Sequence, residues 1–115
     1  MRVLICGDRN WTDRRRIGWY LNTLPTESVV IHGNAPGADR IAGELAKELG
    51  FEVIAFPAQW WRYGRAAGPL RNKQMIDEGR PDKVAYAHDD LDASTGTRGM
   101  VAQARSAGIP VERIE

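Results

Sequence analysis

Five short apolar runs, separated by stretches in which apolar residues recur at helical spacing, constrain this chain more than any other feature of its sequence. The first run, residues 2–6, ends at Gly7 and contains Val3, Leu4, Ile5 and Cys6 in unbroken succession. A strand with one face in water would alternate apolar and polar residues. This one does not, so it is predicted to be buried on both faces. Residues 28–32, 51–56, 82–88 and 109–114 supply four further strands. Between them, a cap at Thr12 and Asp13 precedes Ile17, Tyr20, Leu21 and Leu24, with Pro25 ending the helix. Ala38, Ile41, Ala42, Leu45, Ala46 and Leu49 mark one face of a second helix closed by Gly50. Residues 69–77, with Leu70, Gln74 and Met75, and residues 97–107, with Met100, Val101 and Ala104, give two more. Residues 57–68 show neither period and read as a long functional loop, and residues 89–96 read as a polar loop.

The resulting order, βαβαβαβαβ, predicts a Rossmann-like α/β three-layer sandwich with a five-stranded, mainly parallel sheet in the order 3-2-1-4-5. With 115 residues, 43% of them apolar, the chain fits one domain over residues 1–115. Ligands of such sheets bind beyond the carboxyl ends of the strands, where the strand order reverses. Those ends carry Gly7, Asp8 and Arg9, then residues 33–39, 57–68 and 94–99.

The formal net charge is only +1, so an anion site must be local, and nucleic acid is not an expected partner. Arg14, Arg15 and Arg16 are the one dense basic run and are read as a solvated helix face. Cys6 is the sole cysteine, which excludes an internal disulfide and any metal site built from paired cysteines. A reducing cytoplasm is the simplest compartment. The first apolar stretch is too short for a signal peptide, and no later run is long enough to span a membrane. His32 and His88 end strands without the spacing of a metal site or a catalytic triad, so packed histidines are expected. No spacing distinguishes an acid from a base among Asp8, Asp39, Asp89 and Asp90.

Three segments suit a phosphorylated ligand. The run from Gly33 through Pro36 and Gly37 to Asp39 joins a strand to a helix, where backbone amides and the helix dipole can meet an anion. It is neither GxGxxG nor a P-loop, and its simpler reading is a tight turn with Asp39 as an early helix carboxylate. Valine at Gly37 is expected to obstruct a ligand more than it disturbs the fold. Ser94, Thr95, Gly96, Thr97, Arg98 and Gly99 offer hydroxyls, glycines and a cation, unless Thr97 merely caps the last helix and Gly99 allows close packing. Trp60, Trp61 and Tyr63 stand beside Arg62, Arg65 and Arg71, a set that can stack a purine and hold phosphate, or else plug the edge of the core.

The segments Gly7 to Asp13, His32 to Asp39, Pro57 to Trp60, Tyr63 to Asn72, then Met75 and Gly96-Thr97, taken in order, resemble the YspA/YpsA-related branch of the SLOG superfamily. That superfamily groups SMF/DprA-like proteins with LOG-type cytokinin-activating enzymes. The resemblance implies a pocket for a nucleotide or nucleotide-derived ligand built from the first strand's loop, the Gly-Ala-Asp loop and the Gly-Thr loop. It also implies a homodimer. LOG enzymes cleave the N-glycosidic bond of a nucleoside monophosphate with an arginine in an Arg-Lys-x-x-Met segment and a glutamate just after Gly-Thr. Arg71, Asn72, Lys73, Gln74 and Met75 are similar to the first, whereas Gly99 and Met100 stand where the carboxylate belongs.

The expected ligand contacts are therefore Gly7, Asp8, Arg9, Gly33, Gly37, Asp39, Arg71, Gly96 and Thr97, with no metal, no cofactor and no assigned catalytic residue. Arg71 is expected to grip phosphate. A phosphoribohydrolase using an acid from another loop is the enzymatic alternative, and a DprA-like DNA-handling module is less favoured because the chain has no basic stripe.

Overall fold

In the computed structural model, which describes residues 1–115, β1 (Arg2–Gly7) is the central strand of the sheet. It pairs with β2 (Val29–His32) on one side and β4 (Lys83–Ala87) on the other, and β3 (Glu52–Ala55) and β5 (Val111–Arg113) form the edges. Every pairing is parallel and the order is 3-2-1-4-5, as the alternation of elements predicts. No helix is long and apolar enough to cross a membrane.

Side-chain parity along the strands divides the core into two layers. Successive residues of a strand point to opposite faces. Val3 and Ile5 therefore join Val30, Ala85 and Ala87 on one face, against Ile17 and Leu21 of α1 (Arg14–Leu21) and Ala38, Ala42 and Ala46 of α2 (Ala38–Glu48). Leu4 and Cys6 join Ile31 and Val84 on the other, against Met75 of α4 (Ala67–Asp77) and Met100 and Ala104 of α5 (Thr95–Ser106). The crossover rule explains the division: β1 to β2 to β3 steps outward with its helices on one face, and the jump back to β4 and β5 places theirs on the other.

Local chemistry sets the helix boundaries, and three differ from expectation. Residues 57–68 are not one open loop. They contain α3 (Trp60–Tyr63), one short turn, and a 3₁₀ turn at Gly64–Ala66 that runs into α4. A single turn is too short to display a helical period in sequence. Helix α4 begins at Ala67, two residues earlier than predicted, with Pro69 in its first turn, where a missing backbone N–H breaks no helical bond. Helix α5 begins at Thr95, and its cap is Ser94, whose Oγ accepts from the Thr97 N–H at 3.0 Å. Thr97 is thus not the cap. Arg16, grouped by sequence with the solvated face, stacks on Trp11 at 4.5 Å and pairs with Asp89 at 3.2 Å.

The loop after β1 is fastened to the start of α2. The Asp8 carbonyl accepts from the Trp11 N–H at 3.1 Å and the Ala38 N–H at 3.0 Å. Gly37 permits this closeness, because a Cβ there would collide with the carbonyls of Asp8 and Arg9. Its φ of 78° and ψ of −126° also disfavour any side chain. The expected order of effects at Gly37 is therefore reversed. Gly37→Val is predicted to lower unfolding free energy by roughly 2–4 kcal/mol through overpacking and backbone strain. Urea denaturation measures this, and a change under about 0.5 kcal/mol, the ordinary range for a neutral surface substitution, would return Gly37 to a purely ligand-facing role.

Candidate functional site

Two oppositely charged side chains hold the Gly33 peptide at the carboxyl edge of the sheet. Asp39 lies in the first turn of α2, where the helix dipole favours a carboxylate, and is buried. Its Oδ2 accepts from the Gly33 N–H at 2.9 Å and the Ala35 N–H at 3.4 Å. Arg71, from α4, donates through Nη1 to the Gly33 carbonyl oxygen. A Cβ on Gly33 would overlap the guanidinium in its present position, so glycine permits this close approach. Arg71 Nε donates to Asn72 Oδ1 at 3.1 Å, and Asn72 Nδ2 reaches the Gly96 carbonyl at 3.4 Å. Consecutive residues of α4 thereby connect the loop after β2 to the start of α5.

Burial sets the electrostatics of this edge. It raises the Asp39 carboxyl to about 6, against the opposing pull of Arg71 and of the Gly33 and Ala35 amides. Arg71 is lowered by burial and held up by Asp39. Burial, with Lys47 and Arg71, lowers His32 to about 4, and its Nδ1 accepts from the Asn34 N–H at 3.0 Å. His88 accepts in the same way from the Asp90 N–H at 2.9 Å. Both histidines serve as acceptors that start a turn. Burial drives the Cys6 thiol far above its usual range, which leaves it protonated and without nucleophilic character.

The predicted ligand residues fall into three groups. Gly33, Asp39, Arg71 and Gly96 are joined through Asn72. Thr97 is buried in the first turn of α5, while Gly96 is exposed with open space where a Cβ would stand. Gly7, the last residue of β1, pairs with Ala87. Asp8 turns the other way, accepting from the Asn10 N–H at 2.8 Å and lining a hollow of about 210 Å³ with Trp11, Asp13, Arg16 and Asp89. Arg9 is exposed and makes no hydrogen bond or ion pair. A larger groove of about 430 Å³ lies between α4 and α5, lined by Lys73, Ile76, Gln103 and Ser106, and contains none of the predicted residues.

The amide cradle expected over residues 33–39 is taken up in part by the chain's own acceptors. The N–H groups of Gly33 and Ala35 go to Asp39, that of Asn34 to His32, and that of Ala38 to Asp8. The N–H groups of Gly37 and Asp39 have no such partner, and the Arg71 guanidinium adds further open donors. It carries five N–H groups, of which two are engaged. Asn72 is the contact that residue spacing does not reveal, since a helical asparagine carries no periodic signal.

Asp39 and His32 oppose each other in their effect on stability. Asp39 has its folded value raised from 3.8 to about 6, so its contribution is fully present below pH 3.8 and is lost as pH rises through 6. His32 has its folded value lowered from 6.5 to about 4, so its contribution is present above pH 6.5 and is lost as pH falls through 4. The two slopes cancel between about pH 4 and 6. Asp39→Asn, which keeps an acceptor for Gly33, is predicted to give a melting temperature that rises with pH across this window, and His32→Asn one that falls. Calorimetric melts of both variants decide the matter, since identical profiles would remove both assignments.

The model of the YspA, cpYpsA-related SLOG family matches residues 1–63. The Gene 61 protein of Mycobacterium phage D29 is 40% identical over 120 residues, covering 96% of this chain and 93% of that protein. Among solved structures, DNA processing protein A (DprA) from Streptococcus pneumoniae superposes with a TM-score of 0.76 at 18% identity. The match takes in 97% of this chain but only 49% of that one, so the chain spans about half of DprA's length. The likeness to DprA establishes the fold, while the family match and the phage relative establish the lineage: the chain belongs to the YspA, cpYpsA-related SLOG family.

Proposed function

We propose that this protein binds or senses a nucleotide or a nucleotide-derived phosphorylated ligand at the carboxyl edge of its sheet, with Arg71 as the phosphate contact. The observation that carries this reading is the half-buried Arg71 guanidinium, held by Gly33 and Asn72 with N–H groups to spare, beside the start of α5. A guanidinium fixed in this way has its orientation set before the ligand arrives. Less ordering then remains to be done on binding, and its fork suits two phosphate oxygens. The exposed Gly96 leaves room for a ligand over the first turn of α5, where the helix dipole favours an anion. The buried, unpaired Cys6 fits a reducing compartment such as the cytoplasm.

One observation favours an enzymatic second reading. Asp39, raised to about 6, has a carboxyl in the range of a general acid, as N-glycosidic cleavage of a nucleoside monophosphate would need. Against this, its Oδ2 is already engaged by two backbone amides. DNA handling, the role named for DprA, has weaker support: the net charge is +1, and several cations, such as Arg14, Lys73 and Lys83, are paired with carboxylates.

Two measurements test these readings. In titration calorimetry, Arg71→Lys is predicted to weaken a nucleoside monophosphate, and Arg71→Ala to weaken it further, by about 1.5–3 kcal/mol for each charge-assisted hydrogen bond lost. The matching nucleoside should change little. An equal loss for both would make Arg71 a support for the loop alone. Incubation with a panel of nucleoside monophosphates is predicted to release no free base, and base release that is abolished in Asp39→Asn would establish the enzymatic reading in its place.

A further inference from the structure

The segment that joins β3 to α4 has a composition unlike the rest of the chain. From Pro57 to Asn72 it holds Arg62, Arg65 and Arg71, together with Trp60, Trp61 and Tyr63, and no carboxylate. Elsewhere acidic and basic residues are interspersed and commonly paired. Here neither Arg62 nor Arg65 has an ion-pair partner, and Arg62 instead lies over the Tyr63 ring at 5.1 Å. Trp60, Trp61 and Tyr63 are 59%, 83% and 42% exposed. Plugging the edge of the core would have buried them, so that alternative fails.

Position ties this surface to Arg71. The outer edge of the Trp60 ring, at Cη2, lies 3.4 Å from where a Cβ on Gly68 would stand. Gly68 is three residues before Arg71 in α4, and positions three apart share one side of a helix. Trp60 therefore sets one edge against α4 a single turn before Arg71, with most of its ring open to solvent. Tyr63 stands three residues along α3 and shares a side with Trp60. A flat apolar ring held at its edge, next to unpaired guanidinium groups and with no carboxylate nearby, suits a ligand that is both planar and anionic.

We infer that residues 60–65 form the base subsite of the site centred on Arg71, with Trp60 as the stacking surface, so that the ligand class is a purine nucleotide rather than a sugar phosphate. This rests on the phosphate-binding reading of Arg71. A purine offers the larger face for stacking on the indole, and Arg62 and Arg65 add positive potential along the ligand's approach. Trp61, about 100° around the helix from Trp60, takes no part in the stack.

The test titrates adenosine monophosphate, guanosine monophosphate, uridine monophosphate and ribose 5-phosphate against the wild-type chain and four variants, with thermal melts confirming that each folds. Trp60→Leu is expected to weaken both purine nucleotides about 5- to 20-fold, the lower part of the range that base–aromatic stacking supplies, and to leave ribose 5-phosphate unchanged. Trp60→Phe should recover most of the loss by restoring a flat ring. Trp61→Ala should bind as wild type does. Arg71→Lys should weaken ribose 5-phosphate and nucleotides alike. If Arg71→Lys acts as expected while Trp60→Leu leaves purine affinity untouched, or lowers ribose 5-phosphate equally, the base subsite is wrong and the phosphate site stands. If none of the four compounds binds the wild type at millimolar concentration, the phosphate-site reading and the inference resting on it both fall. Self-association that is lost in Trp60→Leu, without any effect of nucleotide, would assign the surface to a second copy of the chain and overturn the base subsite.

Discussion

Because all five strands are parallel, every strand ends its backbone ladder at the same edge, and the fold has to satisfy the groups left there with loops. This constraint governs the rest of the molecule. Two strand ends, His32 and His88, meet it with an imidazole Nδ1 that accepts a backbone N–H two residues on. The end of β1 meets it with the Asp8 carbonyl, which takes N–H groups from its own turn and from the start of α2. What these loops do not consume is what remains for a ligand.

Seen in this way, the Gly33 peptide joins fold and site. Its N–H needs an acceptor and its carbonyl a donor, and both are supplied by charged groups, Asp39 and Arg71, from helices on opposite faces of the sheet. Taking either charge into the protein is unfavourable alone, as the raised carboxyl of Asp39 and the lowered guanidinium of Arg71 show. Each moderates the other. An arrangement of this kind favours one loop geometry strongly, because removing one partner leaves the other buried and uncompensated. It also leaves a guanidinium at the surface that cannot easily turn away.

The architecture was legible in the sequence because it rests on periodicity, and the site only in part because it rests on pairing. The unbroken run Val3 to Cys6 reads as a strand covered twice, and the parity of Val3 and Ile5 against Leu4 and Cys6 assigns each to its layer. Arg71, Gly33 and Gly96 were found from residue type and resemblance, and they lie together. The function of the loop amides was legible only in part: within residues 33–39, His32, Asp39 and Asp8 take the N–H groups of Gly33, Asn34, Ala35 and Ala38, while those of Gly37 and Asp39 have no partner. No local rule distinguishes an amide that faces a ligand from one that faces a buried side chain. Asn72 and the capping Ser94 escaped for the same reason, since each acts through one specific partner.

The position after Gly96 and Thr97 shows how deeply a single difference can be built into a fold. The resemblance to LOG enzymes places a carboxylate there, and this chain has Gly99 followed by Met100. That side chain is 1% exposed and belongs to the layer formed by Leu4, Ile31, Met75 and Val84. A carboxylate at Met100 would have to enter this apolar layer, where an unpaired charge is strongly unfavourable, or pull α5 away from the sheet. At Met100 the departure is therefore a feature of the core, whereas at Gly99 open space lies where a side chain would stand. Among the carboxylates at this edge, Asp39, in the first turn of α2, is the buried one, and its Oδ2 already accepts from the Gly33 and Ala35 amides. Its raised carboxyl shows that the folded site accepts the neutral form more readily than the charged one, so any proton exchange at Asp39 is coupled to the loop that positions Arg71.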